Sequence, residues 1–493
     1  MSTHCVIVGG GVAAFRAAKE LRRADEAVEI SLFAEEPHPF YLRRQLGDLL
    51  AGTLTAGELI VQSRNAYRRE RINPFLMTRV VRVDPDVHEV FLDSGQRVRY
   101  DRLLVATGTR AVPLDIPGAD LQGIVAIDNL TAAVQAERAL ARRPRAVVLD
   151  DGVIGLRLAE GLVARDADVT ILTRGERVSA GLLDEGAAAI VETFLEGAGV
   201  TVRRGTAARG IVGAGGRAIA VETAEGDILP AELVVTGGRR RPETGLLEGS
   251  GIEVRGGVRV DAALRASAPD VFAAGDVAAP FDAGLWEAGE TALCWQRAWT
   301  HGRLAAAGML GRHVDGVPDV LRLRTVLFGR DLAVLGRGHL PEGNGVEAIT
   351  VHGPVGGAAR PGAGAHDPDA WPGPHFARVD QGQVYRRLVF DRGRLVGAVL
   401  LGPADWYAQV TRLIADQASR EVVERTLGLT GGPKGVGAVP QAFAWHCPIC
   451  AAELAVPRGT AIGATMACRA CNTQLRVRWE GDRGWVETTA HGA

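Results

Sequence analysis

The chain has 493 residues, 47% hydrophobic and 23% charged, an ordinary composition with length for about three domains. Its formal net charge of −2 gives no electrostatic basis for nucleic acid or an anionic membrane as partner. No apolar run reaches the roughly 18 residues of a membrane span, and the first apolar strand starts too early to leave room for a signal peptide. Four of the six cysteines form two C-x-x-C pairs near the C-terminus, which is not a secreted disulfide pattern, so a cytoplasmic protein is expected.

Residues 5–14 (CVIVGGGVAA) read as a buried strand, a glycine turn and the start of a helix over Ala13–Leu21. Gly9, Gly11 and Ala14 occupy the three small positions of a dinucleotide fingerprint: tight turn, close approach to a pyrophosphate, helix packed on strand. The helix N-terminus would offer free N–H groups to the phosphates. Glu29–Phe33 alternates as a second strand and ends at Glu35 and Glu36, either of which suits ribose hydroxyls or simply a solvated strand end. Arg43 and Arg44 follow, suited to a pyrophosphate or to plain surface.

Leu103–Val105 is another buried strand, closed by a Thr107–Gly108 turn. Ala146–Leu156 repeats the strand–turn–helix pattern, with a helix over Leu156–Ala164 and a strand over Asp168–Leu172. Two such units imply two nucleotide-binding domains, or an inherited pair of which one is idle. Leu233–Thr236 and Asp270–Ala274 are further strands ending in glycine turns, the second followed by Gly275 and Asp276.

The order G-x-G-x-x-A, A-T-G, second fingerprint, T-G-G-R and F-A-A-G-D over about residues 4–425 resembles the FAD-dependent pyridine-nucleotide oxidoreductases. Residues 37–46, 107–118 and 272–276 are most similar to rubredoxin and ferredoxin reductases and the flavoprotein part of NADH-dependent nitrite reductase. The resemblance implies FAD held by Gly9, Gly11, Ala14, Glu35, Arg43, Val80, Thr107, Gly108, Gly275 and Asp276. It places Trp295 and an Ala298–Ala306 helix over the flavin ring, with His301 near its pyrimidine edge. The implied fold is α/β, with two interleaved Rossmann-like dinucleotide-binding domains and an α+β interface domain that supports homodimers; the spacing of the two C-x-x-C pairs adds a small C-terminal zinc ribbon. The expected boundaries are 1–110 and 235–315 for the FAD domain, 111–234 for the NAD(P) domain, 316–429 for the interface domain, 430–445 for a linker and 446–480 for the ribbon.

The second fingerprint departs from the family pattern. Asp150 stands at the first glycine, Gly152 and Gly155 keep the other two, and Arg157 replaces the usual Glu. Asp150 and Asp151 bring carboxylates toward a pyrophosphate, and a non-glycine at the turn is strained if its φ must be positive. The second strand ends without an acid, and Arg174 with Arg177 suits a 2′-phosphate, so a working site favours NADPH over NADH. The disulfide-reductase dithiol is missing, and the lysine usual after the Arg-x-x-Leu segment is replaced by Gly47 and Asp48. Cys5 reads as a small core residue, and Cys294 as packing rather than a redox thiol.

Leu323–Gly336 and Val384–Leu401 read as antiparallel strands with a turn at 391–393, separated by a Gly-, Pro- and Ala-rich loop over Gly353–His375; a helix begins at Trp406. Past the linker, Cys447, Cys450, Cys468 and Cys471 form two C-x-x-C pairs 17 residues apart, a spacing for one tetrahedral ion. A structural zinc is the expectation, with a rubredoxin-like iron as the alternative. Trp445, Trp479 and Trp485 flank the module as packing or a partner surface. Together these features point to a flavoprotein passing electrons between NADPH or NADH and a small redox protein or small-molecule acceptor, its ribbon serving stability or docking. Two alternatives stay open: an FAD oxidase or dehydrogenase with a decayed nicotinamide site, and a flavin-bearing scaffold whose ribbon recruits a partner enzyme.

Overall fold

The computed structural model describes residues 2–140, 142–237, 240–280, 295–314, 321–354, 383–402, 406–429 and short strands between 445 and 488. Along the chain lie β1 (His4–Val8), α1 (Val12–Ala24), β2 (Glu29–Ala34), β3 (Ile72–Leu76), β4 (Arg102–Val105), β5 (Thr109–Ala111), β6 (Ile124–Ala126) and β7 (Arg145–Val148). Then come α2 (Val153–Val163), β8 (Asp168–Leu172), α3 (Glu185–Gly197), β9 (Thr201–Arg203), β10 (Leu233–Thr236), β11 (Arg240–Pro242), β12 (Val271–Ala273) and α4 (Trp295–Met309). The last elements used below are β13 (Arg322–Leu327), β14 (Arg330–Gly336), β15 (Val346–Pro354), β16 (Gln383–Asp391), β17 (Arg394–Leu401), α5 (Tyr407–Ala415) and α6 (Arg420–Thr426). The chain forms two compact units, residues 1–150 with 208–319 and residues 151–207 with 320–493.

In the first unit a five-stranded sheet has the order β12-β4-β1-β2-β3. Its strands run parallel, with Cys5 opposite both Ile30 and Arg102. Cys5, Val6 and Ile7 are fully buried, as expected of a parallel strand covered on both faces. Burial pushes the Cys5 thiol up to about 12, so this cysteine is a core residue and not a nucleophile. Helix α1 covers the sheet with Ala14, Phe15, Ala18 and Leu21, and Phe15 stacks on Phe40 at 4.2 Å between ring centres. It extends one residue earlier and three later than the sequence pattern predicts; the Asp25 N–H closes its end on the Leu21 carbonyl, and Arg22 ties the segment that follows by donating to the Glu26 and Val28 carbonyls. Strands β7, β10 and β6 of the same unit pair in parallel as well.

In the second unit β8 and β9 pair in parallel, and residues 321–429 build an antiparallel sheet of order β13-β14-β17-β16-β15. The turn expected at 391–393 is a two-residue hairpin in which Arg392 (φ 50°) and Gly393 (φ 72°) both adopt positive φ, the geometry that matches strand twist. Strand β15 has no counterpart in the sequence reading, which left residues 346–352 unassigned. Helices α5 and α6 close over the sheet through Val410, Leu413 and Val423, packed with Leu388, Phe390 and Leu395. The cysteines 294, 447, 450, 468 and 471, and most of the loop expected over 353–375, lie outside the described residues. No described helix is long and apolar enough to cross a membrane.

Candidate dinucleotide sites

The first fingerprint is shaped by what surrounds each glycine. Gly9 has φ +130°, and a Cβ there would lie 2.1 Å from the Ala106 carbonyl oxygen, so only glycine lets β1 turn beside the end of β4. Gly10 is nearly as confined, its Cβ position lying 3.0 Å from the Ala34 Cβ. Gly11 differs: it is the N-cap of α1, and no atom of the described residues stands within 4 Å of where its Cβ would be. Among the described residues no side chain caps this helix, and its first turn carries no acid. The result is an open cradle of backbone N–H groups at the positive end of a 13-residue helix, which fits a diphosphate. Ala14, fully buried, is the small residue at the helix–sheet contact.

Two acids stand past β2, and the structure separates them. Glu36 accepts from Tyr41 Oη at 2.8 Å and from Arg43, whose guanidinium also reaches the Asp128 carbonyl and lies over the Tyr41 ring at 5.1 Å. Burial foremost, then the Glu36 carboxylate, raises the Tyr41 phenol well above its ordinary range despite the nearby Arg43, so it stays protonated and donates to Glu36. Glu35 is half exposed and accepts from Arg110 Nη2 at 2.6 Å. Val80 opens a short strand and is buried.

The later corners are tied by backbone contacts. Thr107 Oγ1 donates to the Glu243 carbonyl at 2.7 Å, and the Glu243 N–H returns a bond to the Gly108 carbonyl at 3.0 Å. Gly108 has φ +68°. Gly275 has φ +80°, and a Cβ there would meet the Ala13 Cβ at 3.1 Å and the Ala298 Cβ at 3.5 Å. Its N–H donates to His301 Nδ1 at 3.3 Å. Burial, then the Arg297 charge, lowers the His301 pKa to about 3, so the ring is neutral and carries its proton on Nε2. His301 therefore braces the Gly275 turn, a role the resemblance did not suggest. Asp276 lies 3.3 Å from Arg297 Nη2.

Helix α4 carries these braces and crosses α1 at Gly302, where a Cβ would come 2.5 Å from the Ala13 carbonyl oxygen. Trp295 stacks on Trp299 at 5.1 Å, with Arg44 over the first ring and Arg16 over the second. Sequence reasoning missed Gly302 and Arg16; a lone glycine inside a helical pattern was the available signal for the former.

In the second unit Gly152 is the N-cap of α2 in extended conformation, and Gly155 is buried. The Asp151 carboxylate accepts from Thr173 Oγ1 at 2.6 Å, and its carbonyl accepts from Ser179 N–H and Oγ at 3.0 and 2.7 Å. Neither Asp150 nor Asp151 has positive φ, so the strain expected of a non-glycine at this turn does not arise. Arg157 pairs with Glu160 and donates to the Val326 carbonyl at 2.9 Å, while Glu160 accepts from the Phe328 N–H at 2.9 Å. Arg174 is exposed just past β8, and Arg177 donates weakly to the Leu183 carbonyl at 3.4 Å.

A family model of pyridine nucleotide-disulphide oxidoreductases matches residues 3–302. The chain belongs to that family. It is accordingly an oxidoreductase, and FAD, NAD(P)H and electron transfer are typical of its relatives. The chain is 33% identical over 332 residues to the biphenyl dioxygenase system ferredoxin–NAD(+) reductase component of Paraburkholderia xenovorans, covering 67% of this chain and 80% of that one. It is 29% identical over 274 residues to the assimilatory nitrate reductase electron transfer subunit of Bacillus subtilis, covering 55% of this chain but only 35% of that subunit. The ferredoxin reductase for the CYP199A2 system from Rhodopseudomonas palustris shares the fold, with a TM-score of 0.71 at 24% identity over 85% of this chain and 96% of that one.

Proposed function

We propose that the protein draws electrons from NAD(P)H and delivers them, through FAD held in the first unit, to a small redox protein. The observation that carries this reading is the open cradle at Gly11, whose uncapped helix N-terminus fits the flavin diphosphate. When bound, the flavin supplies the hydride-accepting chemistry, and no protein acid or base is needed for that transfer. The chain's own work is to hold and orient. Gly9, Gly11 and Ala14 would admit the diphosphate, and Glu35, rather than the occupied Glu36, would take ribose hydroxyls. Thr107, Gly108, Gly275 and Asp276 would line the later corners, with neutral His301 fixing the last turn. Arg43 and Val80 would frame the adenosine side.

In the second unit Gly152 and Gly155 would face the nicotinamide cofactor, and exposed Arg174 favours the 2′-phosphate of NADPH. An Arg174→Ala variant should raise the KM for NADPH about fivefold, the factor for an exposed charge contact, and leave NADH unchanged. One observation favours a second reading, an FAD dehydrogenase fed by another donor: Asp150 and Asp151 put two carboxylates at this turn. Anaerobic titration of the yellow protein separates the two. Rapid bleaching of the flavin by NADPH or NADH supports the first, and bleaching only by other reductants supports the second. The cysteines 447, 450, 468 and 471 are read as a zinc ribbon that stabilises the C-terminal segment or docks a partner.

A further inference from the structure

We infer that Arg110, in the two-stranded ribbon β5–β11, is the positioning residue for the adenosine end of the flavin dinucleotide, acting through Glu35. This rests on the flavin reading of the first unit. Arg110 bridges two carboxylates: Nη2 lies 2.6 Å from Glu35 Oε2, and Nε lies 2.6 Å from Glu243 Oε2. Glu243 is itself pinned, since its N–H donates to the Gly108 carbonyl and its carbonyl accepts from Thr107 Oγ1. The ribbon is fixed in turn by Arg240, which donates to the Thr109 hydroxyl and carbonyl, both at 2.9 Å. A chain of contacts, charge-assisted at the two carboxylates, thus runs from the Thr107–Gly108 corner to the acid beyond β2.

Glu35 is half exposed, and a free glutamate there would spread over several rotamers that ligand binding must freeze. Arg110 sets that rotamer in advance. It occupies one carboxylate oxygen and leaves Oε1 for ribose hydroxyls, since a carboxylate offers about four acceptor positions. Its charge also offsets the repulsion between Glu35 and a diphosphate. The same bridge should tie the ribbon to the cofactor: with flavin on Glu35, the strands at 108–111 and 240–243 lose freedom.

The test is FAD binding to the deflavinated full-length chain, followed by fluorescence quenching, with hydrogen exchange as a second readout. Arg110→Gln should raise the FAD Kd about fivefold, and Arg110→Lys, which keeps the charge without the two-point fork, should fall between. The double variant with Glu35→Gln should bind no more weakly than Glu35→Gln alone. In the wild type, FAD should slow amide exchange at 108–111 and 240–243. In Arg110→Gln that slowing should vanish while residues 9–15 remain protected. Unchanged or tighter FAD binding in Arg110→Gln, or additive losses in the double variant, would overturn the inference and leave the flavin reading intact. A wild-type chain that binds no FAD would overturn both.

Discussion

At Gly9 and Gly11 two neighbouring glycines do different work, and substitution separates them. Gly9→Ala drives a methyl into the Ala106 carbonyl from a backbone with φ +130° and should cost at least about 2 kcal/mol of stability in urea unfolding. Gly11→Ala meets open space at an ordinary φ of −83°, so the melting temperature of the flavin-free chain should hold while FAD affinity falls. His301 adds a pH effect. Its folded pKa of about 3 lies below the ordinary 6.5, so the unfolded chain takes up a proton below about pH 6.5 that the folded chain refuses. Stability should decline on acidification by roughly 1.4 kcal/mol per pH unit between those values. His301→Gln, still able to accept from Gly275, should remove that one-proton slope when urea unfolding is compared at pH 7 and pH 5.

Elements explain why some residues could be read from the chain and others could not. The strand–turn–helix signature of β1 and α1, the β8 span and the β16–β17 hairpin turn depend on local composition, so Gly9, Gly11 and Gly393 were legible without a structure. The bracing of α4 against α1 was not, because Gly302 and Ala13 are far apart in sequence and meet only after folding. Arg157 is the clearest case: the fingerprint shows only that it replaces the usual Glu, while its contacts with Glu160 and with the carbonyl of Val326, a residue 169 positions away, exist only in the fold. At this pair Glu160 is 2% and Arg157 12% exposed. Arg157→Met should remove a charged donor from the buried Glu160 carboxylate, which keeps its bond from the Phe328 N–H, and cost about 2 kcal/mol, seen as a lower melting temperature, with the first-unit FAD affinity unaffected.

On the scale of the whole chain, electron traffic and metal content should be separable properties. Purified protein is expected to carry one zinc per chain, and Cys447→Ser should lose it while flavin reduction by NAD(P)H proceeds at the wild-type rate. Iron in place of zinc, with a visible spectrum of its own, would instead make the ribbon part of the electron route.

The buried Tyr385 hydroxyl, on β16, donates to Asp184, the residue that also caps α3 through the Gly186 N–H at 3.2 Å. Asp184 is 7% exposed, so a protein shortened before the C-terminal sheet would keep the carboxylate and lose its phenolic donor. Discarding the last third of the chain would therefore open the first turn of α3 to water and leave the Asp184 carboxylate with its bond from the Gly186 N–H, so residues 151–207 are not a freely portable part.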